Sequence, residues 1–568
     1  MEIIYIKFEN YRNLDGLEVT INKDVNFIVG ENNIGKSNFQ NGLIKVLSGK
    51  MFLKEDFENQ YKEIRVFLRF HLSDEEIGIF DDLVDPTDSK CINIVVRQES
   101  PEEYLTYHHL ETEEQIQASL IKRINIISYD SLRNPKNELD FNKTKGAGAF
   151  LNFMVKHYVT NYNGKGLLKI AEVKQAEKYI GKALRKLTAF ERFSIIPQID
   201  ADDAEILARV LLLKDENNIN IPDNGYGVQF NLLIILSLLE KIIDFSKKRK
   251  DDEDEFSTVL VFDEPEIHLH PYLQRAIIKD IINLANGNDI YFNELLQEYF
   301  GIAKINAQII ITTHSPNMLS DDYAKIIRMF KKNGKTYAVS GKDLELTTSE
   351  RKQLLMQFEY IKEAVFARTA IVVEGDSEYG AFPLFSNSLG VNFDKQGIAL
   401  IKAGGAESIL PIIKLFNKLG IKAVGVIDND KKIEKNLPDE DYLFYTKSKC
   451  FDSEVVKRIT YNKDYAVLKK ILLEYDSQGE NRCIQQIKLK TIIDKYKYKH
   501  ISVTVSCSFI NVDETDKLSE VMYVAWFEIN KGILLGKIIG TELPKKDIPL
   551  CYVKAIRKAD EYSNECRF

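Results

Sequence analysis

Apolar and polar side chains alternate over Ile3–Phe8, the period of a half-buried strand. The mostly apolar run Val25–Val29 reads as a second strand, and the spacing from Lys36 to about Leu47 predicts a helix. Strand-like runs follow at Glu63–Leu72, Ile92–Arg97 and Ile124–Ser128. The character changes over residues 148–191, where Leu167–Leu187 sets apolar residues at helical spacing among many Lys and Glu, so a helical insert is expected. Strand signals return at Ala208–Lys214, and the charged run Lys247–Glu255 reads as a solvated loop. After Ser257 the order is strand Thr258–Phe262, helix Tyr272–Ala285 and strand Ala307–Thr312. A second set begins near Ala364, with strands Ala370–Val373, Ile398–Lys402 and Ala423–Ile427 and helices Ser377–Ser388 and Ala406–Leu419 between them. Strands alternating with helices predict parallel sheets, so the fold class is α/β. The boundary between the two sets falls in 340–365. Beyond residue 460, Lys-rich helical stretches mix with a strand at Ile501–Cys507. No internal repeat or low-complexity linker is present.

With 568 residues the chain exceeds one ordinary core, and about three or four domains, or two large α/β ones, are expected. The composition is globular, 44% hydrophobic and 29% charged. No apolar run reaches the ~18 residues a membrane span needs, and the first residues form a strand pattern in place of a signal peptide. Six scattered cysteines without a CxxC pair argue against a zinc site or a disulfide framework and fit a reducing cytoplasm. The net charge of −8 argues mildly against a nucleic-acid partner, but a groove needs only a local basic lining.

Gly30-Glu31-Asn32-Asn33-Ile34-Gly35-Lys36-Ser37 fits GxxxxGK[ST] between a strand and a helix, the context a phosphate-binding loop requires. Backbone N–H groups around Gly30, Asn33 and Gly35, and the helix start through Asn38, would cradle phosphates. Lys36 would reach the β- and γ-phosphates and Ser37 would ligate Mg2+. Val259–Glu264 is an apolar strand ending in two carboxylates. Asp263 would hold the Mg2+ shell and Glu264 would orient or deprotonate the attacking water. Ile309–Pro316 is another apolar strand, ending at His314, a sensor for the γ-phosphate.

The second set carries a different chemistry. Ile371-Val372-Val373-Glu374-Gly375-Asp376-Ser377-Glu378 places one carboxylate at a strand end and another one helical turn later, at i, i+4. Val424–Asp430 ends a further strand with Asp428-Asn429-Asp430. Oxygen ligands at two strand ends suit Mg2+ or Mn2+ better than zinc, and a pair of such ions could activate water against a phosphodiester.

The run Asp263-Glu264-Pro265-Glu266-Ile267-His268-Leu269-His270-Pro271, with Thr313-His314-Ser315-Pro316, resembles ABC-type ATPases of the RecF/SMC/OLD group. The Glu374–Glu378 and Asp428–Asp430 motifs, with Ala403-Gly404-Gly405-Ala406 between them, look like a Toprim domain. An ABC-type ATPase followed by Toprim is the arrangement of the OLD (overcoming lysogenization defect) family, and motif matches cover roughly residues 1–460. The resemblance implies a RecF/SMC-like ATPase over 1–147 and 192–355, a helical insert at 148–191 serving dimerisation, and a Toprim nuclease domain with a C-terminal extension over 356–568. It implies head-to-head dimers or higher homo-oligomers, with Gly225-Tyr226-Gly227-Val228-Gln229 as the signature that closes on ATP. Gly225, Gly227 and Gln229 stand there in a Gly-x-Gly-x-Gln form that departs from the LSGGQ of transporters. It further implies an acidic patch, for which Asp452 and Glu454 in Cys450–Glu454 are the candidates, although Asp452 equally reads as a helix cap. A catalytic lysine near the C-terminus is implied, with Lys554 chosen and Lys558 the alternative. The implied activity is ATP-controlled, metal-dependent DNA cutting in anti-phage defence, as in Gabija-type systems with a UvrD-like helicase partner or in retron-linked versions.

Two other readings stay open. A Toprim topoisomerase or primase would leave relaxed closed circles or need a zinc-binding module, and no Cys/His cluster is present. A RecF-like DNA-binding clamp would use Toprim only as a scaffold, which would not need all of Glu374, Glu378, Asp428 and Asp430.

Overall fold

The computed structural model describes every residue except 81–82, 130–138, 140–145, 162–169, 189–193, 200–210, 248–254, 268, 478–490, 492–493, 496–516 and 566–568. The predicted strand Ile501–Cys507 and most of the charged run after Lys247 lie outside the described residues. The chain divides into two compact units, one of residues 1–330 and 335–343, the other of residues 331–334 and 344–568.

The first unit holds two six-stranded sheets. One consists of β1 (Glu2–Glu9), β2 (Glu18–Thr20), β4 (Ile64–His71), β5 (Cys91–Gln98), β6 (Thr106–His109) and β7 (Gln115–Ile116), in the order β2-β1-β4-β5-β6-β7, all neighbours antiparallel. Its strands alternate as the sequence predicts. In β4, Ile64, Val66, Leu68 and Phe70 point inward and are fully buried or nearly so, because alternate residues share a face. A register shift between Ile3 and Tyr5 keeps Ile3, Ile6 and Phe8 all on the core side. That core closes on helix α1 (Lys36–Ser48) through Phe39, Leu43, Val46 and Leu47.

The second sheet has the order β14-β13-β3-β12-β11-β8, built from β3 (Val25–Val29), β8 (Asn125–Tyr129), β11 (Glu255–Asp263), β12 (Lys304–Thr312), β13 (Ile326–Lys332) and β14 (Lys335–Ser340). Here β13, β3, β12, β11 and β8 run parallel. All five residues of β3 are buried, which is why its sequence shows no alternation; the single polar residue, Asn26, is paired through its side-chain amide with the carbonyl oxygens of Asn22 and Ile309. The expected insert contains α2 (Gly148–Asn161) and α3 (Ile170–Leu184). Strands β9 (Ile196–Ile199) and β10 (Leu211–Lys214) form a separate antiparallel pair. Helices α4 (Tyr226–Ser246), α5 (Pro271–Ala285) and α6 (Ile290–Phe300) follow. Phe153 of α2 stacks on Phe300 of α6, so the insert is anchored on its own chain.

The second unit begins with α7 (Thr348–Ala364), whose N-terminus is closed by a capping box between Thr347 and Glu350. Its sheet, β15 (Thr369–Val373), β16 (Ile398–Lys402), β17 (Lys422–Ile427) and β18 (Leu443–Tyr445), is wholly parallel in the order β16-β15-β17-β18. Helices α8 (Asp376–Ser388), α9 (Ala406–Lys418), α10 (Asn429–Lys435), α11 (Phe451–Tyr461) and α12 (Tyr465–Ser477) connect or follow the strands. The C-terminal helices α13 (Lys517–Asn530), α14 (Ile533–Glu542) and α15 (Leu550–Glu565) enter the same hydrophobic core, where Val524, Trp526, Tyr552 and Ile556 join Ile371, Phe382 and Val424. Helix α14 lies unusually close to α8. A side chain on Gly536 would meet the Ser377 carbonyl oxygen at 2.1 Å, so only glycine permits this approach.

No helix among the described residues is long and apolar enough to cross a membrane.

Candidate nucleotide and metal sites

The first site forms where β3, β11 and β12 end side by side. Gly35 caps α1 with φ 112°, and a Cβ there would stand 2.7 Å from Leu14 Cδ2, so the loop can turn tightly only with glycine. Asn33, at φ 61°, turns the loop in the same left-handed sense. Lys36 is buried, and its ammonium donates to the carbonyl oxygens of Gly30 at 3.0 Å and Glu31 at 2.8 Å. Burial pulls its pKa down to about 8, against the opposing pull of Glu264 and Asp263. The cation thus rests on the loop's own carbonyls, where phosphate oxygens could replace them. Ser37 Oγ stands 3.4 Å from Asp263 Oδ1, and Thr312 Oγ1 donates to the same oxygen at 2.5 Å.

Glu264 follows β11 in a left-handed conformation, φ 48°, which is costly for a residue with a side chain. Its N–H donates to Thr312 O at 3.0 Å, and its Oε1 lies 3.3 Å from His314 Nε2. His314 is held below the usual histidine range by burial first and the Lys36 charge second, which keeps it neutral beside that carboxylate. Glu266 fixes the turn from the other side, accepting from Thr313 Oγ1 at 2.8 Å and from the His314 N–H at 2.6 Å. Lys36, Ser37, Asp263, Glu264 and His314 are therefore one constellation.

Three residues here went unread in the sequence. Arg12 Nη1 donates to Asn38 Oδ1 at 2.5 Å, Asn13 Nδ2 to Ile34 O at 3.0 Å, and Gln40 Nε2 to Phe262 O at 2.7 Å. Arg12 is itself gripped by the fully buried Asp56. The only sequence signal for the first two was a polar Asn-Tyr-Arg-Asn turn after β1.

The expected signature stands at the start of α4. Gly225 is its N-cap, Gly227 packs against Leu273 of α5, and Gln229 Nε2 donates back to Pro222 O at 3.0 Å and Asn224 O at 2.7 Å. Gln229 Oε1 is buried without a hydrogen-bond partner among the described residues.

The second site is built at the C-terminal ends of β15 and β17, adjacent parallel strands whose register pairs Ile371 with Val424. Glu374 follows β15 directly and Asp428 follows β17, and the Asp428 N–H points to Glu374 Oε2 at 3.5 Å. Glu378 lies in the first turn of α8, Asp430 in that of α10, and Asp452 and Glu454 in that of α11. Burial raises the Glu374 carboxyl, and lifts Glu378 to about 8 with help from the charges of Asp452 and Glu374. Asp428 is also driven well up, by burial and then by Glu378, Glu374, Asp430 and Asp452. Asp452 is pushed to about 7 by burial and by Glu528, and Lys531 and Lys495 pull the other way. Asp452 Oδ1 has no hydrogen-bond partner among the described residues, whereas Glu454 Oε2 accepts from the Ser448 N–H at 2.6 Å.

The structure thus gathers Glu374, Glu378, Asp428, Asp430 and Asp452 into one field of mutual repulsion, with Glu454 at its edge. Among the described residues no three carboxylates, imidazoles or thiolates stand at ligating distance of a common point. Five acidic oxygen donors, one buried with an orphaned oxygen, fit a hard divalent cation, which would relieve the burial and the repulsion together.

Both candidate lysines lie on α15. Lys554 lies on the exposed side of α15, and Lys558 is paired with Asp441 and Glu561. The lysine whose charge acts on both Glu374 and Asp452 is Lys531, in the short turn between α13 and α14. The glycine contact between α14 and α8 carries it there, and the neighbouring Gly532 N–H donates to Ser377 Oγ at 3.1 Å.

Comparison with known proteins finds an ATPase domain and a TOPRIM domain in the chain. Residues 156–319 match the model of an AAA ATPase domain, and residues 365–430 match that of the overcoming lysogenization defect protein-like TOPRIM domain. The chain is 27% identical over 276 residues to the OLD nuclease of Thermus scotoductus, covering 46% of this chain and 48% of that protein. It is 25% identical over 213 residues to the Old nuclease of Escherichia phage P2, covering 36% and 33%. To an endonuclease GajA of Bacillus cereus it is 26% identical over 219 residues, covering 35% and 30%. The chain spans less than half the length of each of these relatives. The resemblance read from the motifs therefore holds: an AAA-type ATPase domain and an OLD-like TOPRIM domain are joined in one chain.

Proposed function

We propose that the chain is an ATP-controlled, divalent-metal-dependent DNA endonuclease, with residues 356–568 as its nuclease domain. One observation carries the reading: buried carboxylates crowd the ends of two adjacent parallel strands, and the charges of Lys431, Lys495 and Lys531 act on them. Acidic ligands with a basic rim suit an anionic backbone that must approach a cation. This local rim answers the net charge of −8. The names of the relatives, OLD nuclease and endonuclease GajA, support the same activity.

Glu374, Glu378, Asp428, Asp430 and Asp452, with Glu454 at the edge, would hold Mg2+ or Mn2+. Such an ion supplies Lewis acidity toward a phosphodiester and lowers the pKa of water. The protein's own groups do the rest. Lys531 places positive charge where negative charge grows on the phosphate oxygens. Glu378, lifted to about 8, carries a proton at neutral pH until a cation displaces it.

In the first unit, Gly30, Asn33, Gly35, Lys36, Ser37 and Asn38 would hold the phosphates of ATP, Asp263 its Mg2+ shell, and Glu264 the attacking water beside neutral His314. We place the signature Gly225, Gly227 and Gln229 in a homodimer or larger homo-oligomer, with the insert at 148–191 contributing to it. By resemblance to Gabija-type and retron-linked nucleases, we propose a role in anti-phage defence, with a UvrD-like helicase or a retron component as partner.

Incubating purified protein with supercoiled plasmid and Mg2+ or Mn2+, with and without ATP, tests the reading. Nicked and linear products are expected from the parent. Glu374→Ala and Asp428→Ala should each lose about 10²–10³-fold in cutting, the scale of one preorganised electrostatic group, and retain ATP binding. Relaxed closed circles would mean a topoisomerase. Undiminished cutting by both variants would remove this site from the chemistry.

A further inference from the structure

Lys495 and Glu528 belong to none of the motifs read from the sequence. Lys495 lies in the stretch between α12 and α13, and its Nζ donates to Glu528 Oε1 at 2.9 Å. The same oxygen takes a contact from Cys450 Sγ at 3.8 Å. Cys450 is the N-cap of α11, whose first turn bears Asp452 and Glu454. A chain of polar contacts therefore runs from Lys495 through Glu528 to the turn that carries two acidic residues of the site. The Lys495 charge acts on Asp452 and feels Asp430, and Lys531, three residues beyond Glu528, acts on Glu374 and Asp452.

The two cations reach one set of carboxylates from different segments. A lysine serving only as counter-ion to buried carboxylates would be sheathed by them. Lys495 is instead 42% exposed, and Glu528, which holds it, is 15% exposed. An ammonium has three donors, so it can keep Glu528 and take a phosphate oxygen together. The bond to Glu528 also opposes collapse of Lys495 onto Asp430 or Asp452, which would remove an oxygen donor from a divalent cation.

We propose that Lys495 is a second substrate-contacting cation of the TOPRIM site, donating to a nonbridging oxygen of the DNA phosphodiester backbone, with Glu528 as the residue that positions it. The proposal rests on the nuclease reading above and names how that site grips its substrate.

The test measures binding of a short labelled DNA duplex by the full chain in Ca2+ across a salt series, and plasmid cutting in Mg2+. Losing one phosphate contact should lower the slope of log Kd against log salt by about 0.9 and weaken binding about tenfold near physiological salt. Lys495→Gln should show both changes, and Lys495→Arg should restore them. Lys470→Ala, which removes a surface cation paired with Glu542, should show neither. Glu528→Gln should keep the salt slope but cut more slowly, and raised Mg2+ should partly recover the rate, because a loosened Lys495 competes with the cation. If the parent binds and cuts DNA while Lys495→Gln keeps the parental slope, this assignment falls and the nuclease reading stands. Failure of Lys495→Arg to restore the slope also overturns it. If the parent neither binds nor cuts DNA, the nuclease reading falls and this inference falls with it.

Discussion

Glu378→Gln should make the metal-free protein more stable and the nuclease inactive. Glu378 is buried in the first turn of α8, and Asp452 and Glu374 add to the burial that lifts its carboxyl from 4.5 to about 8. Between those values the folded chain keeps a proton that the unfolded chain has released. Stability therefore falls as pH rises through this window, and the loss is complete above the folded value. At about 1.4 kcal/mol per pH unit the ceiling is about 5 kcal/mol. Between about pH 6 and about pH 9, the part still to be lost is roughly 2–3 kcal/mol. Glutamine keeps the shape and does not titrate. In EDTA its stability advantage over the parent should thus widen by that amount across this range. The single tryptophan, Trp526, is buried in the same core as Phe382 and Phe385 of α8, so its fluorescence during urea unfolding reports on this unit. Mg2+ should reverse the order, because the parent gains a ligand pair that the variant lacks. A gap that stays constant with pH, or narrows, would refute the electrostatic account of this site.

Lys36→Ala should abolish ATP binding without unfolding the chain, read by nucleotide titration beside a thermal melt. Glu264→Gln should keep binding and lose hydrolysis; full turnover would remove Glu264 from its role. Lys531→Ala should reduce plasmid cutting by about 10²-fold, and Lys554→Ala should cut like the parent, since only the first lysine acts on the carboxylates. The reverse ranking would reinstate Lys554. Light scattering at micromolar concentration should find at least a dimer, and a monomer both with and without ATP would contradict the assembly proposed for Gly225, Gly227 and Gln229.

What was legible in the sequence was what periodicity or local spacing encodes. The strand Ile398–Lys402 and the strand Val25–Val29 match to the residue, because short, mostly apolar runs bounded by turns leave one reading. Both carboxylate pairs were legible because each sits within one strand–helix turn. Helix α4 gave no such signal. Its 21 residues are apolar nearly all round, with Leu232 through Leu236 buried in succession, so no polar face marks the period. Lys531 carries no local signal for another reason. It reaches the site through a helix–helix contact between residues about 155 apart in the chain, made by Ser377 and Gly532, and no local pattern encodes that pairing. The family resemblance points to Lys554 near the C-terminus, but the buried face of α15 is Tyr552, Ala555, Ile556 and Ala559, which leaves Lys554 exposed.

The two sites follow one electrostatic rule with opposite signs. In the first unit a cation is buried: Lys36 sits on backbone carbonyls and burial pulls it down to about 8. In the second unit anions are buried: Glu378 and Asp452 are lifted to about 8 and about 7, and Asp428 well above its ordinary value. Each is an ionisable group whose charged form burial disfavours, and desolvation opposes folding unless a partner compensates it. A ligand of opposite charge, phosphate in one case and a divalent cation in the other, removes that opposition only in the folded state. Binding and stability are then linked, and each ligand should raise the stability of its own unit in proportion to the logarithm of its concentration. Burial thus creates an affinity that exposed side chains of the same type, screened by water, would lack.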